Sequence, residues 1–343
     1  MRPLLTLLAS VLVVSGLRTP GLRAQIAPSP ERPPTVETPL RHSATERPKS
    51  SHGVDLFFVA RPASGGRHAQ PTQNLTQADC SLTVDGEPQP LQEFSAQSKE
   101  PLTLGLLLDT SLDQQAVLPM ERQAAGKFLR SVLRPPDEAF FISFDVTVDL
   151  LADLTGSREI LQSALEKAQI NSASGHYANG TIPSIGRPKG ALLYDAVYLA
   201  ASDELGHQTG RKVLILLTEG RDDGSRKRLR AAIEAAQKAN AIVDVLFVSD
   251  PGIYGILDES GSGPMRKLAQ STGGRFFHIG KDGRKLQTAF AEIQKELQSQ
   301  YRISFVPSGA ASAAGEHAVK VSCSQHGKPL HVQARQDYYA PSR

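Results

Sequence analysis

Tryptophan is absent from the 343 residues, and aromatic side chains make up only 6 % of them. That leaves too little stacking surface for the aromatic platforms that hold single-stranded nucleic acid. A surplus of one charge is lacking as well. The net charge is +3, so there is no basic field to attract a nucleic-acid partner. Beyond the N-terminal segment no apolar run approaches the ~20 residues that a membrane-spanning helix needs, so no transmembrane segment is expected in the mature chain. Nucleotide signatures are missing too: no Walker loop occurs, and no Gly-x-Gly-x-x-Gly follows a strand. No serine sits in a nucleophile-elbow pattern. The histidines, among them His176, His207, His278 and His326, are scattered without metal-ligand spacing. Cysteine is limited to Cys80 and Cys323. Two residues so far apart leave both a disulfide and a pair of free thiols open.

Apolar residues at 40 % and charged residues at 21 % are ordinary for a chain that buries a core. Residues 1–24, "MRPLLTLLASVLVVSGLRTPGLRA", carry one early cation, Arg2, and then an apolar stretch too short to span a bilayer. The pattern predicts a cleaved secretory signal and hence a secreted or periplasmic location, although Leu22 is not the small residue a clean cleavage site prefers. Residues 25–52 are rich in Pro, Ser and Thr without apolar periodicity, as in a disordered spacer. Residues 53–100 turn to short apolar runs, with an Asp85-Gly86 hairpin turn inside "CSLTVDGEPQPLQEF". The Asn-Leu-Thr at Asn74 matches a glycosylation sequon, a three-residue pattern that chance supplies often.

Residues 101–300 alternate between strands and helices. "LTLGLLLD", "EAFFISFD", "RKVLILLTEG" and "AIVDVLFVSD" read as buried strands. "QQAVLPMERQAAGKFLRSVL", "SREILQSALEKAQ", "KGALLYDAVYLAASDEL", "SRKRLRAAIEAAQKAN" and "KLQTAFAEIQKELQSQ" have helical spacing. Near-continuous apolar strands separated by helices predict an α/β fold with a doubly wound, mostly parallel, Rossmann-like sheet. Residues 301–343 return to β texture and are expected to pair with 53–100 as a small β-rich domain. In such sheets ligands bind beyond the carboxyl ends of the strands. Asp109 and Ser111 follow the first strand of the series and Glu219 follows another.

At these residues the chain resembles a von Willebrand factor type A domain, and among those the exported VWFA-related proteins of Acidobacteria. "LGLLLDTS" resembles the first strand and metal loop. "KGALLYDAVYLA" resembles the family's Gly-Thr-x-x-Tyr-Asp-Ala helix start, and "RKVLILLTEGRDDGSR" its third-loop strand. "YRISFVPSG" with "HVQARQDYYAP" resembles its trailing β segment. The resemblance covers about residues 53–341 and implies a metal-ion-dependent adhesion site, where a divalent cation presents one open coordination position to a partner's carboxylate. Magnesium requires octahedral oxygen ligands and keeps several waters, so each protein oxygen counts. Asp109 and Ser111 match the family's Asp-x-Ser-x-Ser, but Asp113 stands at its last position. Ala191 replaces a coordinating Thr, and Glu219 replaces an Asp. Asp113 and Glu219 can still offer carboxylates, whereas Ala191 offers no oxygen. Thr181, in the preceding loop "GHYANGTIPSIGRPKG", is the candidate hydroxyl to take its place.

The expectation is therefore a degenerate site at Asp109, Ser111, Asp113 and Glu219 with no resident cofactor, Mg2+ or Ca2+ being the cations it would take if any. Against it stands an ordinary capping role for Asp109 and Ser111. Asp223-Gly224-Ser225 is expected to form a turn and cap the next helix. Asp195 is expected to bond to a neighbouring loop, and Arg226, Lys227, Arg228 and Arg230 to form a solvated face. The functional expectation is a non-catalytic, secreted or envelope module for adhesion or protein binding, with an unknown protein partner. The alternative is a structural envelope scaffold whose rim binds nothing. Because Cys80 and Cys323 lie on segments expected to share one sheet, a disulfide between them is geometrically plausible.

Overall fold

The computed structural model describes residues 53–64, 69–96, 100–170, 191–249 and 260–340. The expected signal segment and spacer, Thr181 and His176 lie outside the described residues. The chain opens with four strands, β1 (Val54–Pro62), β2 (Cys80–Val84), β3 (Glu87–Gln89) and β4 (Glu93–Ser95). An α/β series follows: β5 (Leu102–Asp109), α1 (Leu118–Val132), β6 (Glu138–Phe144), β7 (Val148–Thr155), α2 (Arg158–Lys167) and α3 (Leu193–Leu199). It continues with β8 (Arg211–Thr218), α4 (Leu229–Lys238), β9 (Ala241–Phe247), α5 (Ser262–Thr272), β10 (Phe276–His278) and α6 (Gly283–Gln298). Four strands close the chain: β11 (Tyr301–Phe305), β12 (Gly315–Gln325), β13 (Lys328–Ala334) and β14 (Asp337–Ala340).

The result is a mixed α/β molecule. One six-stranded sheet, in the order β10-β9-β8-β5-β6-β7, is parallel except where β7 returns antiparallel to β6. Strand β5 is buried along its whole length, which is why it reads as a continuous apolar run rather than an alternating one. Leu104, Leu106 and Leu108 face the core under α1, α2 and α6. Leu107 faces the opposite core, under α3, α4 and α5. Full burial of each such side chain stabilises the fold by ~1.5–3 kcal/mol.

The second sheet is antiparallel and built from both ends of the described chain. β1 pairs with β11 and β13, and β2 pairs with the middle of β12. β12 curls: its start pairs with β14 and its last residues with β13. Asp85 and Gly86 both have positive φ (50° and 88°), the backbone that a two-residue hairpin between β2 and β3 requires. Cys80 stands opposite Cys323 in the β2–β12 register, and the two are joined as a disulfide.

Buried charges fasten the two sheets to each other. Arg61 on β1 reaches Glu296 on α6 at 2.5 Å, and Arg275 also pairs with Glu296. The Arg275 backbone N–H donates to Asp244 on β9 at 2.8 Å. Arg335, just past β13, donates to the Gln237 carbonyl at 3.0 Å. Burial and the neighbouring Glu296 carboxylate push Asp244 up to about 7.

Two helices begin later than their sequence patterns suggest, and a third changes its winding partway. α1 starts at Leu118, with Pro119 in its first turn, because proline lacks the N–H that an interior position would need. α3 gives way to one wider π turn over Ala200–Glu204. α4 starts at Leu229 rather than near Ser225, because the residues before it are held by another helix.

Candidate functional site

The order of the parallel strands reverses around β5, which has β6 on one side and β8 on the other. Such a reversal leaves a crevice at the carboxyl ends of the strands. Asp109 ends β5 and Thr218 ends β8, one step beyond the Leu108–Leu217 register pair. The Thr218 hydroxyl donates to Asp109 Oδ2 at 2.7 Å, and Thr218 Oγ1 accepts from Gly220 N at 2.9 Å. Asp109 Oδ1 accepts from Ser111 N at 3.0 Å. Asp109 is completely buried. Burial pushes its carboxyl up to about 6 against the lowering effect of the Ser111 and Thr218 hydrogen bonds. Thr110 is tied to the end of β6, donating to Asp145 Oδ2 at 3.0 Å.

Asp113 and Glu219 complete the predicted set, and all four residues meet on this rim. The two carboxyls share a hydrogen bond. Burial, followed by the charges of Asp113 and Asp109, raises Glu219 to about 8. The pair therefore holds a proton at neutral pH, as two carboxyls packed together must. A cation already faces them. Arg221 lies 3.5 Å from Asp113, 3.9 Å from Glu219 and 3.3 Å from Asp223. These are loose, partly solvated ion pairs, each adding little to stability.

The expected capping role of Ser111 is corrected. It precedes the short 3-10 turn Leu112–Gln114, but its side chain makes no cap hydrogen bond. Ser225 is corrected as well, because it serves the preceding helix rather than the following one. Its hydroxyl accepts from Asp195 N at 3.1 Å and donates to Asp222 at 2.5 Å, while Asp222 also accepts from Tyr194 N at 3.2 Å. Asp222 and Ser225 thus satisfy the orphan amides at the start of α3. Asp195 bonds to a loop as expected, taking the backbone N–H groups of Arg226 and Lys227 at 3.0 and 2.8 Å. Lys227 is not simply solvated, since its ammonium lies 4.1 Å from the Tyr198 ring centroid.

Several rim residues carry no motif signal. Glu121, in the first turn of α1, is completely buried. Among the described residues neither of its carboxyl oxygens finds a hydrogen-bond partner. Burial, then the charge of Asp109, raises its pKa well above the ordinary glutamate value, which favours the protonated form behind the rim. Its only sequence signal is a carboxylate at a core-facing position of an amphipathic helix. Arg221 had one signal, a lone cation between Glu219 and the Asp222-Asp223 pair.

At the expected second-loop ligand position there is no side-chain oxygen. Ala191 is buried and turns a methyl toward the core, while its carbonyl is taken by Asp223 N at 3.2 Å. Both Asp109 oxygens are engaged, and a guanidinium stands opposite Asp113 and Glu219. Among the described residues no three His, Cys, Asp or Glu side chains converge as a metal cage. Among the described residues, too, no helix is long and apolar enough to cross a membrane.

No protein-family model matches the sequence, and no curated protein matches it. Among solved structures the chain is similar to the conserved hypothetical protein BatB from Bacteroides thetaiotaomicron, at 17 % identity and TM-score 0.41, over 58 % of this chain and 99 % of that one. It is similar to a von Willebrand factor type A protein from Catenulispora acidiphila, at 12 % identity and TM-score 0.43, over 81 % and 74 %. It is also similar to the pilus adhesin SpaC from Lactobacillus rhamnosus GG, at 11 % identity and TM-score 0.44, over 79 % of this chain and 49 % of the adhesin. At such identities and scores these likenesses fix no function.

Proposed function

We propose that the chain is a non-catalytic protein-binding module of type A architecture, doubly wound about β5, which works in the envelope or outside the cell. Its rim engages a protein partner without a resident divalent cation. The observation that carries this reading is the placement of Arg221 opposite Asp113 and Glu219 while Ala191 removes a ligand. The rim keeps the shape of a cation-centred adhesion site and has a covalently attached cation beside its acids. Ser111 does not serve as a nucleophile in this reading. Its hydroxyl bonds to Asp109, a buried carboxyl already held by Thr218, and that arrangement supplies no free base.

Capture from an envelope extract tests the reading. The immobilised chain is expected to retain a partner equally with and without chelator, and to lose it when Asp113→Ala and Glu219→Ala are combined. These two are chosen over Asp109, whose complete burial would mix binding with folding. The second reading, a structural scaffold, is favoured by the disulfide that staples β2 to β12 within the antiparallel sheet and by the Arg61–Glu296–Arg275 cluster that fastens the two sheets. Capture unchanged in the double variant would select that scaffold and reject the rim.

A further inference from the structure

A cleft of about 1000 Å³ opens where the two sheets meet, and none of its lining residues belongs to the rim. Its floor depends on the glycine pair that ends α5. Gly273 has φ +83°, and a Cβ there would stand 2.5 Å from the backbone N of Arg335. A Cβ on Gly274 would stand 2.0 Å from the Val243 carbonyl oxygen. Only glycine lets this helix end touch both sheets at backbone distance. One wall is β10, the last strand of the six-stranded sheet, and the other is residues 331–334 of β13.

The charge of the lining is one-sided. Arg61, Arg266, Arg275, Arg284 and Lys285 face a single carboxylate, Glu292. Arg61 and Arg275 belong to the buried cluster, through Glu296 at 2.5 Å and Glu292 at 2.7 Å. Of the other three cations, Arg284 and Lys285 are exposed and Arg266 is half-buried. Among the described residues no ion pair engages their side chains, and Asp282 accepts from the backbone N–H of Arg284 and Lys285 at 2.9 and 3.3 Å. The Arg266 guanidinium lies 4.3 Å from the Phe276 ring centroid. That distance is within cation–π range and places the guanidinium over the ring. The lining also includes the half-buried apolar residues Phe276, Val332 and Ala334.

We propose that this cleft docks an extended, acidic segment of a partner polypeptide. Alternate side chains of an extended chain point in opposite directions. Apolar residues would rest on Val332 and Ala334, beside the Phe276 ring that Arg266 covers, and carboxylates would turn to Arg266, Arg284 and Lys285. A basic cleft with apolar lining residues favours such a segment over a nucleic acid, which would need a wider basic field and stacking aromatics.

The test uses a fluorescently labelled peptide of alternating Val and Glu, with Val-Gln and Val-Lys counterparts, titrated against the purified chain by anisotropy. The Val-Glu peptide is expected to bind, more weakly as salt rises, and the Gln and Lys peptides to fail. Combined Arg266→Glu, Arg284→Glu and Lys285→Glu should weaken binding by about tenfold or more. Should that variant melt abnormally, Arg284→Gln with Lys285→Gln, both on exposed positions, replaces it. Equal binding of the Val-Gln peptide would overturn the proposal. So would unchanged affinity in a folded variant, or binding of heparin or phosphatidylserine vesicles through these cations in place of the peptide.

Discussion

Glu121 and Asp109 show how far single residues can depart from their sequence appearance. Asp109 was legible because it ends a buried strand, where a carboxylate is an obvious break in the apolar run. Glu121 was not, because one acid in an amphipathic helix pattern reads as a solvated position. Its burial without a partner makes the protonated form the folded form. Since its pKa is raised on folding, the folded state binds more protons than the unfolded state above the ordinary glutamate pKa. Stability must therefore fall as pH rises from that point toward the folded pKa. Glu121→Gln removes this titration. The variant should be more stable than the wild type at pH 8 by about 1–3 kcal/mol, and the gain should shrink toward pH 4. Urea unfolding at several pH values measures both, and a gain independent of pH would refute the assignment.

Among the elements, strand existence was readable and helix starts only in part. Ser157 caps α2 as its local pattern suggests, its Oγ accepting from Ile160 N at 3.3 Å, whereas α1 and α4 start later than their patterns. Strands β5, β8 and β9 announce themselves as unbroken apolar runs bounded by turns, because both of their faces are covered. A helix start can depend on partners distant in sequence. Asp195 ties up the backbone of Arg226 and Lys227, and that delays α4 although the local pattern would allow an earlier turn. Gly105 is a second case of the same kind. Within "LTLGLLLD" it looks like a weak point in a strand, but a Cβ there would stand 2.3 Å from Phe140 Cζ and 2.5 Å from Leu214 Cδ2. The neighbouring strands have filled its side-chain space. Gly105→Ala should destabilise by about 1–3 kcal/mol through overpacking, read as a lowered denaturation midpoint with an unchanged m-value. Phe140→Leu in the same chain should recover part of that loss.

At the scale of the molecule, the antiparallel sheet draws its strands from both ends of the described chain, and one covalent bond closes the whole α/β series as a loop. Cys80 and Cys323 are 243 residues apart, so breaking the bond frees a long loop in the unfolded chain. Cys80→Ser with Cys323→Ser is expected to lower stability by about 2–5 kcal/mol. Differential scanning calorimetry would detect it, and an unchanged midpoint would contradict this loop-closure contribution. The buried charge cluster that joins the two sheets was invisible in the sequence, since Arg61, Asp244, Arg275 and Glu296 come from four separate stretches of the chain. Only Asp244, a lone acid inside "AIVDVLF", hinted at a buried partner. The rim itself was half legible: its four acids and hydroxyls follow from strand ends, while the role of Arg221 depends on how the loop after β8 folds back. The central claim is that this rim functions without a resident divalent cation. Isothermal titration of the purified chain with Mg2+, Mn2+ and Ca2+ tests it most directly. The account predicts no saturable binding at millimolar cation for the wild type. One-to-one binding abolished by combined Asp113→Ala and Glu219→Ala would contradict it.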